Sequence, residues 1–268
     1  MIFGGIEAGG TKWVCAVGTG PDDVVDSVVF PTGEPGETIE RATTFLSSHG
    51  DLDAVGIGSF GPVDLRRGRI TTTPKPGWSD TELVSVFASA FDVPIGFDTD
   101  VNAAALGEHR WGEAVGLETF VYITVGTGIG GGGMVNGRLL HGLSHPEIGH
   151  MRIPHDRARD PFDGVCPYHG DCFEGLASGE AMKARAESSV ELEAEYVALG
   201  ILNVVSMLSP QRVILGGGVM NEPGLLELIQ RRVPELAAGY FELPDIVAPA
   251  LGDRAGVLGA LELARLAL

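Results

Sequence analysis

The sequence predicts an α/β protein made of two related halves, and three observations carry that reading. Short apolar runs alternate with amphipathic stretches of helical period along the chain, the signature of strands and helices taking turns. The segments "FGGIEAGGTKWVCAVG" and "VYITVGTGIGGGGMVNG" share one layout: an apolar strand, a glycine loop, a second strand. The 40 glycines fall at the ends of apolar runs and never gather into a low-complexity linker, so they read as turns within folded structure.

In the first hairpin Gly5 and Gly10 have the spacing of a Walker A loop, but Thr11-Lys12 reverse its last two residues. Trp13–Val17 is bulky and partly β-branched, which continues the chain as a strand where a Walker loop would start a helix. "ETIERATTFLSSHG" (Glu37–Gly50) reads as an amphipathic helix with a glycine stop. "AVGIGSFGPVD" is a strand entering a Gly-Pro loop, and "SDTELVSVFASAF" a helix with Ser79 or Asp80 as N-cap. "VPIGFDTD" is a strand and "VNAAALGEHRWG" the helix after it. In "TFVYITVGTGIGGGGMVNGRLL" a strand, glycine loop and strand precede a tight turn at Asn136-Gly137. Ser144–Asp171 is polar and aperiodic; helical patterns follow over Gly179–Leu208, then the strand "RVILGGGVM" and a closing helix, "AGVLGALELARLAL".

Composition narrows the function. With 44% hydrophobic residues the 268-residue chain can bury a substantial core. Thirty-six acidic against 18 basic residues give a formal charge of -18, which repels nucleic acid and anionic membranes. No apolar run approaches the ~20 residues of a membrane span, and no signal peptide precedes the first strand, so a cytoplasmic protein is expected. An anionic substrate would then be held by backbone N–H groups and a metal.

Several residues stand out chemically. Two glycine tips leave backbone N–H groups open to phosphate oxygens, although each is also compatible with a plain tight hairpin. Glu7 is an acid at an apolar strand end, costly unless paired or bound to metal. Asp100, between a strand and a helix, reads either as a general base or as an N-cap, a role Asp98 or Thr99 could share. Gly216, Gly217 and Gly218 end a strand, where a turn is the ordinary reading. Of the three cysteines, Cys15 sits in an apolar strand as a core residue. Cys166, His169 and Cys172 form C-x₂-H-x₂-C; with His150 they supply two thiols and two imidazoles, a set suited to closed, tetrahedral structural zinc. Reduced thiols with surface histidines are the alternative, and His145 and His155 are rival ligands.

The ordered set "GGIEAGGTK", "GIGSFGPVD", "TPKPGW", "FDTDVNAAALGE", "YITVGTGIGGG", "GLSHPEIGH", "CPYHGDCFEGLASG" and "VILGGGVM" resembles the ROK family of sugar kinases, within the actin-like ATPase superfamily, and its bacterial fructokinases in particular. The resemblance implies two actin-like ATPase (ribonuclease H-like) domains around a central cleft. The smaller would comprise residues 1–112 plus 253–268 and the larger 113–252, with a homodimer formed through the larger. It implies an ATP-dependent hexose kinase, fructose first and mannose, glucose or an amino sugar next.

Asp100 becomes the base. Glu7 positions Mg²⁺, with Gly9, Gly10, Thr11 and Lys12 on phosphate from one side and Thr127, Gly128 and Gly130 from the other. Gly179, Glu180, Gly216, Gly217, Gly218 and Val219 take adenosine. Gly61, Pro62, Thr99, Asp100, Glu147, His150 and Glu174 take the sugar. The zinc ligands become His150, Cys166, His169 and Cys172, His150 joining metal to sugar. Glu7 stands where most of the family has Asp, Thr99 where Asn is common, and Glu180 where Pro is common; the span between "GLASG" and "VILGGGV" is shorter than usual. A sugar-responsive repressor of the same family would carry a helix-turn-helix ahead of the first glycine loop, which here starts at residue 4, and the net charge opposes DNA. A catalytically silent sugar binder is the other alternative.

Overall fold

Apolar residues on both faces make the first hairpin a core element. β1 (Phe3–Ala8) and β2 (Lys12–Gly18) pair antiparallel with Glu7 opposite Val14, and Trp13 through Val17 are buried. The computed structural model describes residues 1–268, which divide into two compact units. The first comprises Met1–Gly116, Leu139–His145 and Asp253–Leu268, the second Leu117–Arg138 and Pro146–Gly252.

In the first unit β3 (Val24–Pro31) pairs with β2 and α1 (Pro35–Ser47) follows. β4 (Ala54–Ser59) runs parallel to β1; β5 (Val63–Asp64) and β6 (Arg69–Ile70) form a small ribbon, and α2 spans Val84–Phe91. β7 (Ile95–Thr99) runs parallel to β4 and leads directly into α3 (Asp100–Trp111). The sheet order is β3-β2-β1-β4-β7.

The second unit opens with the antiparallel hairpin of β8 (Phe120–Val125) and β9 (Ile129–Val135), followed by β10 (Arg138–Leu139). The turn between β9 and β10 has Asn136 and Gly137 at φ 51° and 71°, the left-handed pair a two-residue hairpin turn requires. After the polar segment come α4 (Phe173–Ala177), α5 (Gly179–Ala184), α6 (Val190–Leu208), β11 (Arg212–Gly216), α7 (Leu225–Ala237) and β12 (Asp245–Val247). The sheet order is β10-β9-β8-β11-β12.

The chain returns to the first unit as α8 (Ala255–Leu266), which packs on β1, β4 and α3. Glycine makes this approach possible: a Cβ at Gly56 would lie 1.8 Å from the Ala260 carbonyl oxygen, and one at Gly259 1.6 Å from that of Ala103. No helix is long and apolar enough to cross a membrane.

One local expectation is corrected. The helix expected from Ser79 or Asp80 begins only at Val84, with Leu83 as N-cap. Asp80 has φ 59°, Ile70 donates its N–H to the Thr81 carbonyl and Arg69 bridges Glu82, so this stretch is held as an extension of the β5/β6 ribbon. The helical patterns over 179–208 form two helices, α5 and α6, with a break between them. Arg185 is buried at the break, giving Nη2–H to the Leu176 carbonyl at 2.7 Å and lying 3.3 Å from Asp160. That anchor turns the chain before α6 restarts at its N-cap, Ser189.

Candidate active site and metal centre

In the first unit the tip Gly9-Gly10-Thr11 closes with the Gly9 N–H on the Lys12 carbonyl at 3.0 Å. A Cβ at Gly10 would meet nothing within 4 Å, so this stretch of backbone is open, and Thr11 and Lys12 are exposed. Glu7, just before the tip, has an Oε2 shut off from solvent and without a hydrogen-bond partner. Burial first, and the Asp100 carboxylate second, push its pKa up to about 7, against the pull of Lys12 and the Val257 N–H. A cation would relieve this state: a desolvated carboxylate with one unpartnered oxygen, beside an open glycine tip, is a fitting oxygen donor for Mg²⁺. Its neighbour from α8 is invisible along the chain: a Cβ at Gly256 would fall 2.4 Å from the Glu7 carboxyl carbon.

Asp100 is the first residue of α3, and it does not cap the helix. Thr99 does, its Oγ1 accepting from the Asn102 N–H at 3.1 Å. The Asp100 carboxylate accepts from the Val101 N–H at 2.9 Å and is half-buried. Thr99, expected to touch sugar, is buried with its hydroxyl oxygen committed to the cap. Gly61 and Pro62 are joined by a cis peptide bond and are partly exposed and exposed respectively.

In the second unit the tip Gly126-Thr127-Gly128 closes with Gly126 N–H on the Gly128 carbonyl at 2.9 Å, and no side chain there is charged. Its brace is Glu174, whose Oε2 accepts from the Ile129 N–H at 2.9 Å and lies where any Cβ at Gly128 would collide. The sequence reading placed Glu174 on the sugar and missed this bond, which no spacing between residues 128 and 174 announces. Gly130 is partly exposed on β9. The N-terminus of α5 joins the tip: Gly179 N–H reaches the Gly126 carbonyl at 2.7 Å, and Glu180 N–H the Thr127 carbonyl at 3.4 Å.

Behind it, the glycines after β11 divide by cause. A Cβ at Gly216 would hit the Tyr122 hydroxyl at 2.2 Å; Gly217 has φ 94° and would hit the Val125 carbonyl at 2.4 Å. Packing alone demands these two. Gly218 has nothing within 4 Å, and Val219 lies against Gly179.

His150, Cys166, His169 and Cys172 do converge, with one ligand atom from each lying within 4.8 Å of the others. The Cys166 sulfur is 3.7 Å from His150 Nδ1 and 3.6 Å from His169 Nδ1, and the Cys172 sulfur 3.6 Å from His150 Nδ1. Burial pushes the Cys172 thiol up to about 11, so a thiolate there needs a cation. Two soft sulfurs and two imidazoles in one knot fit a tetrahedral metal ion. The other ring nitrogen of His150 faces Glu147 at 4.0 Å. Both rivals are accounted for elsewhere: His155 uses Nδ1 on Asp171 and Nε2 on the Asp160 carbonyl, and His145 accepts from the Val63 N–H in the first unit.

Two sheets of mixed pairing, each with a glycine-tipped hairpin beside parallel strands, define a protein of the actin-like ATPase fold. The chain belongs to the ROK family, which it matches over residues 3–192 and 183–267. It is 47% identical to a putative fructokinase of Bacillus subtilis, over 100% of this chain and 96% of that protein. It is 43% identical to a fructokinase of Zymomonas mobilis, over 98% and 96%. Among solved structures it superposes on a ROK hexokinase from Thermus thermophilus with a TM-score of 0.82, at 30% identity over 99% of this chain and 98% of that one. A ROK family glucokinase from Streptomyces griseus, in complex with glucose and AMPPNP, gives a TM-score of 0.85 at 26% identity over 99% and 100%.

Proposed function

We propose that this protein is an ATP-dependent fructokinase, converting D-fructose and ATP to D-fructose 6-phosphate and ADP. The observation that carries the substrate is the gap in similarity: fructokinases match at 38–47% identity, glucokinases at 27–28%. In this reading Asp100 accepts the proton of the primary hydroxyl as its oxygen attacks the γ-phosphorus and the bond to ADP breaks. Such a base is worth roughly 10²–10⁴ in rate. Its position at a strand end, with the capping duty taken by Thr99, leaves its carboxylate suited to the task.

The open backbone at Gly10, with Thr11 and Lys12, holds the phosphates from the first hairpin. Thr127, Gly128 and Gly130 hold them from the second, where Glu174 fixes the loop. Glu7 would hold Mg²⁺, which supplies neutralisation of phosphate charge when bound. Glu147 and His150 bind sugar hydroxyls, while Gly218 and Val219 form the floor for adenosine. His150, Cys166, His169 and Cys172 would hold a zinc ion, which when bound would order the polar segment and orient His150 without entering the proton transfer. The protein acts in the cytoplasm as a homodimer.

A coupled ADP-release assay across fructose, mannose, glucose and amino sugars tests this. Fructose should give the highest kcat/KM. ADP release no faster with any hexose than without one would overturn the kinase reading, and preference for another sugar would overturn fructose.

A further inference from the structure

Leu139–His145 is a short segment of the first unit with a fully exposed centre: Gly142, Leu143 and Ser144 all face solvent. Its two histidines, His141 exposed and His145 half-buried, each bond back to the body of the unit. His141 gives its Nε2–H to Asp98 Oδ2 at 2.8 Å, and His145 Nε2 accepts from the Val63 N–H at 2.9 Å. An exposed loop pinned at both ends by imidazoles has a purpose in what the pins hold.

His141 holds the turn that carries Asp100. Asp98 is 3% exposed at the end of β7. Its Oδ1 accepts from the Thr99 N–H at 2.8 Å and the Asn102 side-chain N–H at 2.8 Å, and its Oδ2 takes the imidazole. Thr99 and Asn102 are themselves joined by the cap of α3. These four residues therefore lock the backbone on both sides of Asp100, and His141 is the member that comes from outside β7 and α3. Losing His141 would leave Oδ2 of this buried carboxylate without the imidazole while Oδ1 kept its two donors; a buried oxygen stripped of its partner is costly, so the Asp98 side chain would turn and loosen the lock. The bond to Asp98 raises the His141 pKa, which favours the charged pair.

His145 holds the other turn. Val63 directly follows the cis Gly61-Pro62 pair, and a Cβ at Gly61 would lie 3.4 Å from His145 Cε1. The imidazole thus fixes the backbone at Val63 and abuts Gly61.

We infer that His141 and His145 are paired positioning residues for the acceptor half of the reaction, His141 aligning Asp100 and His145 shaping the Gly61-Pro62 lip against the sugar. The inference rests on the kinase reading with Asp100 as base. It predicts that the two histidines separate kinetically. A small misalignment of a reacting group costs on the order of 10²-fold, so His141→Ala should lower kcat about 10- to 100-fold, with KM for fructose and ATP within about threefold. His145→Ala should raise the fructose KM about tenfold, with kcat within about threefold, and narrow the preference for fructose over other hexoses.

The test uses the full-length protein, with thermal midpoints measured beside kinetics. His141→Gln and His141→Asn keep the residue polar in case the alanine variant fails to fold. The glutamine amide reaches Asp98 and should hold kcat within about threefold of the parent, whereas asparagine, one methylene shorter, should lose about tenfold. The inference is overturned if glutamine and asparagine behave alike, or if both histidine sites lower kcat and raise KM together in step with the thermal midpoint. Asp100→Asn, run alongside, separates the failures. If it matches the parent, the base assignment falls and takes the His141 role with it, leaving the His145 prediction to be judged on KM. If it is inactive while the histidine variants match the parent, only the present inference falls. A parent showing neither turnover nor fructose binding by calorimetry overturns both.

Discussion

The sheet β3-β2-β1-β4-β7 and the sheet β10-β9-β8-β11-β12 repeat one plan, an antiparallel hairpin beside two parallel strands. Their hairpin tips differ in charge. The first carries Glu7, Thr11 and Lys12 and lies in the unit that holds Asp100; the second carries no ionisable side chain and is held from behind by Glu174. One plan thus provides two kinds of loop tip: one with an acid and a lysine beside open backbone, and one of glycine and threonine with no charge of its own. The same contrast appears in two buried acids. Glu7 and Glu193 each have an oxygen without a partner and a raised pKa, about 7 and about 8. Glu7 sits at an open tip beside Asp100. Glu193, 1% exposed in the first turn of α6, has burial as its dominant influence and only Arg185 pulling its pKa down. The same desolvation thus falls on an acid beside open backbone in one case and on an acid enclosed under a helix in the other.

The largest expected effect tests the charged unit. Asp100→Asn should lower kcat by about 10³-fold while leaving the thermal midpoint within a few degrees, since the cap of α3 belongs to Thr99. A loss below about tenfold in a coupled ADP assay would remove Asp100 as the base.

Next comes the second unit's cluster of two cysteines and two histidines. Gently purified protein should contain about one equivalent of zinc by elemental analysis, and Cys166→Ser or a strong chelator should lower the thermal midpoint by ~10 °C or more. Zinc content below about half an equivalent, or no thermal change on chelation, counts against the assignment.

The smallest effect concerns the contrast between the two buried acids. A carboxyl whose folded pKa lies above its unfolded value binds more protons when folded, so stability falls as pH rises between the two values. For Glu193 that window runs from 4.5 to about 8. Glu193→Gln should therefore leave stability unchanged near pH 4 and raise it progressively toward pH 8, by up to roughly 4–5 kcal/mol. Denaturant midpoints at the two ends of the window measure this, and a variant equally stabilised at both would show that Glu193 is charged throughout. Adding Mg²⁺ with nucleotide should shift the pH dependence of Glu7→Gln against the parent but leave that of Glu193→Gln unchanged.

Much of this was legible in the chain because it depends on local chemistry. Glycines at strand ends, Asn136-Gly137 and the C-x₂-H-x₂-C run each state their geometry within a few residues, and all appear where the pattern put them. The start of α2 was not legible. Ser79 and Asp80 look like caps, and only pairing of that stretch with β6 overrides them.

By itself, the sequence determined the alternation of strands and helices, the two glycine tips, the donor set of the metal knot and the acid before α3, since propensity, spacing and residue chemistry act over short range. Tertiary structure alone decided that Glu174 braces a loop far from it in sequence, that Gly256 makes room for Glu7, that Gly216 and Gly217 serve packing while Gly218 stays open, and that His141 reaches Asp98. These depend on which side chains and carbonyls meet after the sheets are assembled. No pattern along one strand of sequence encodes a collision or a hydrogen bond across forty residues.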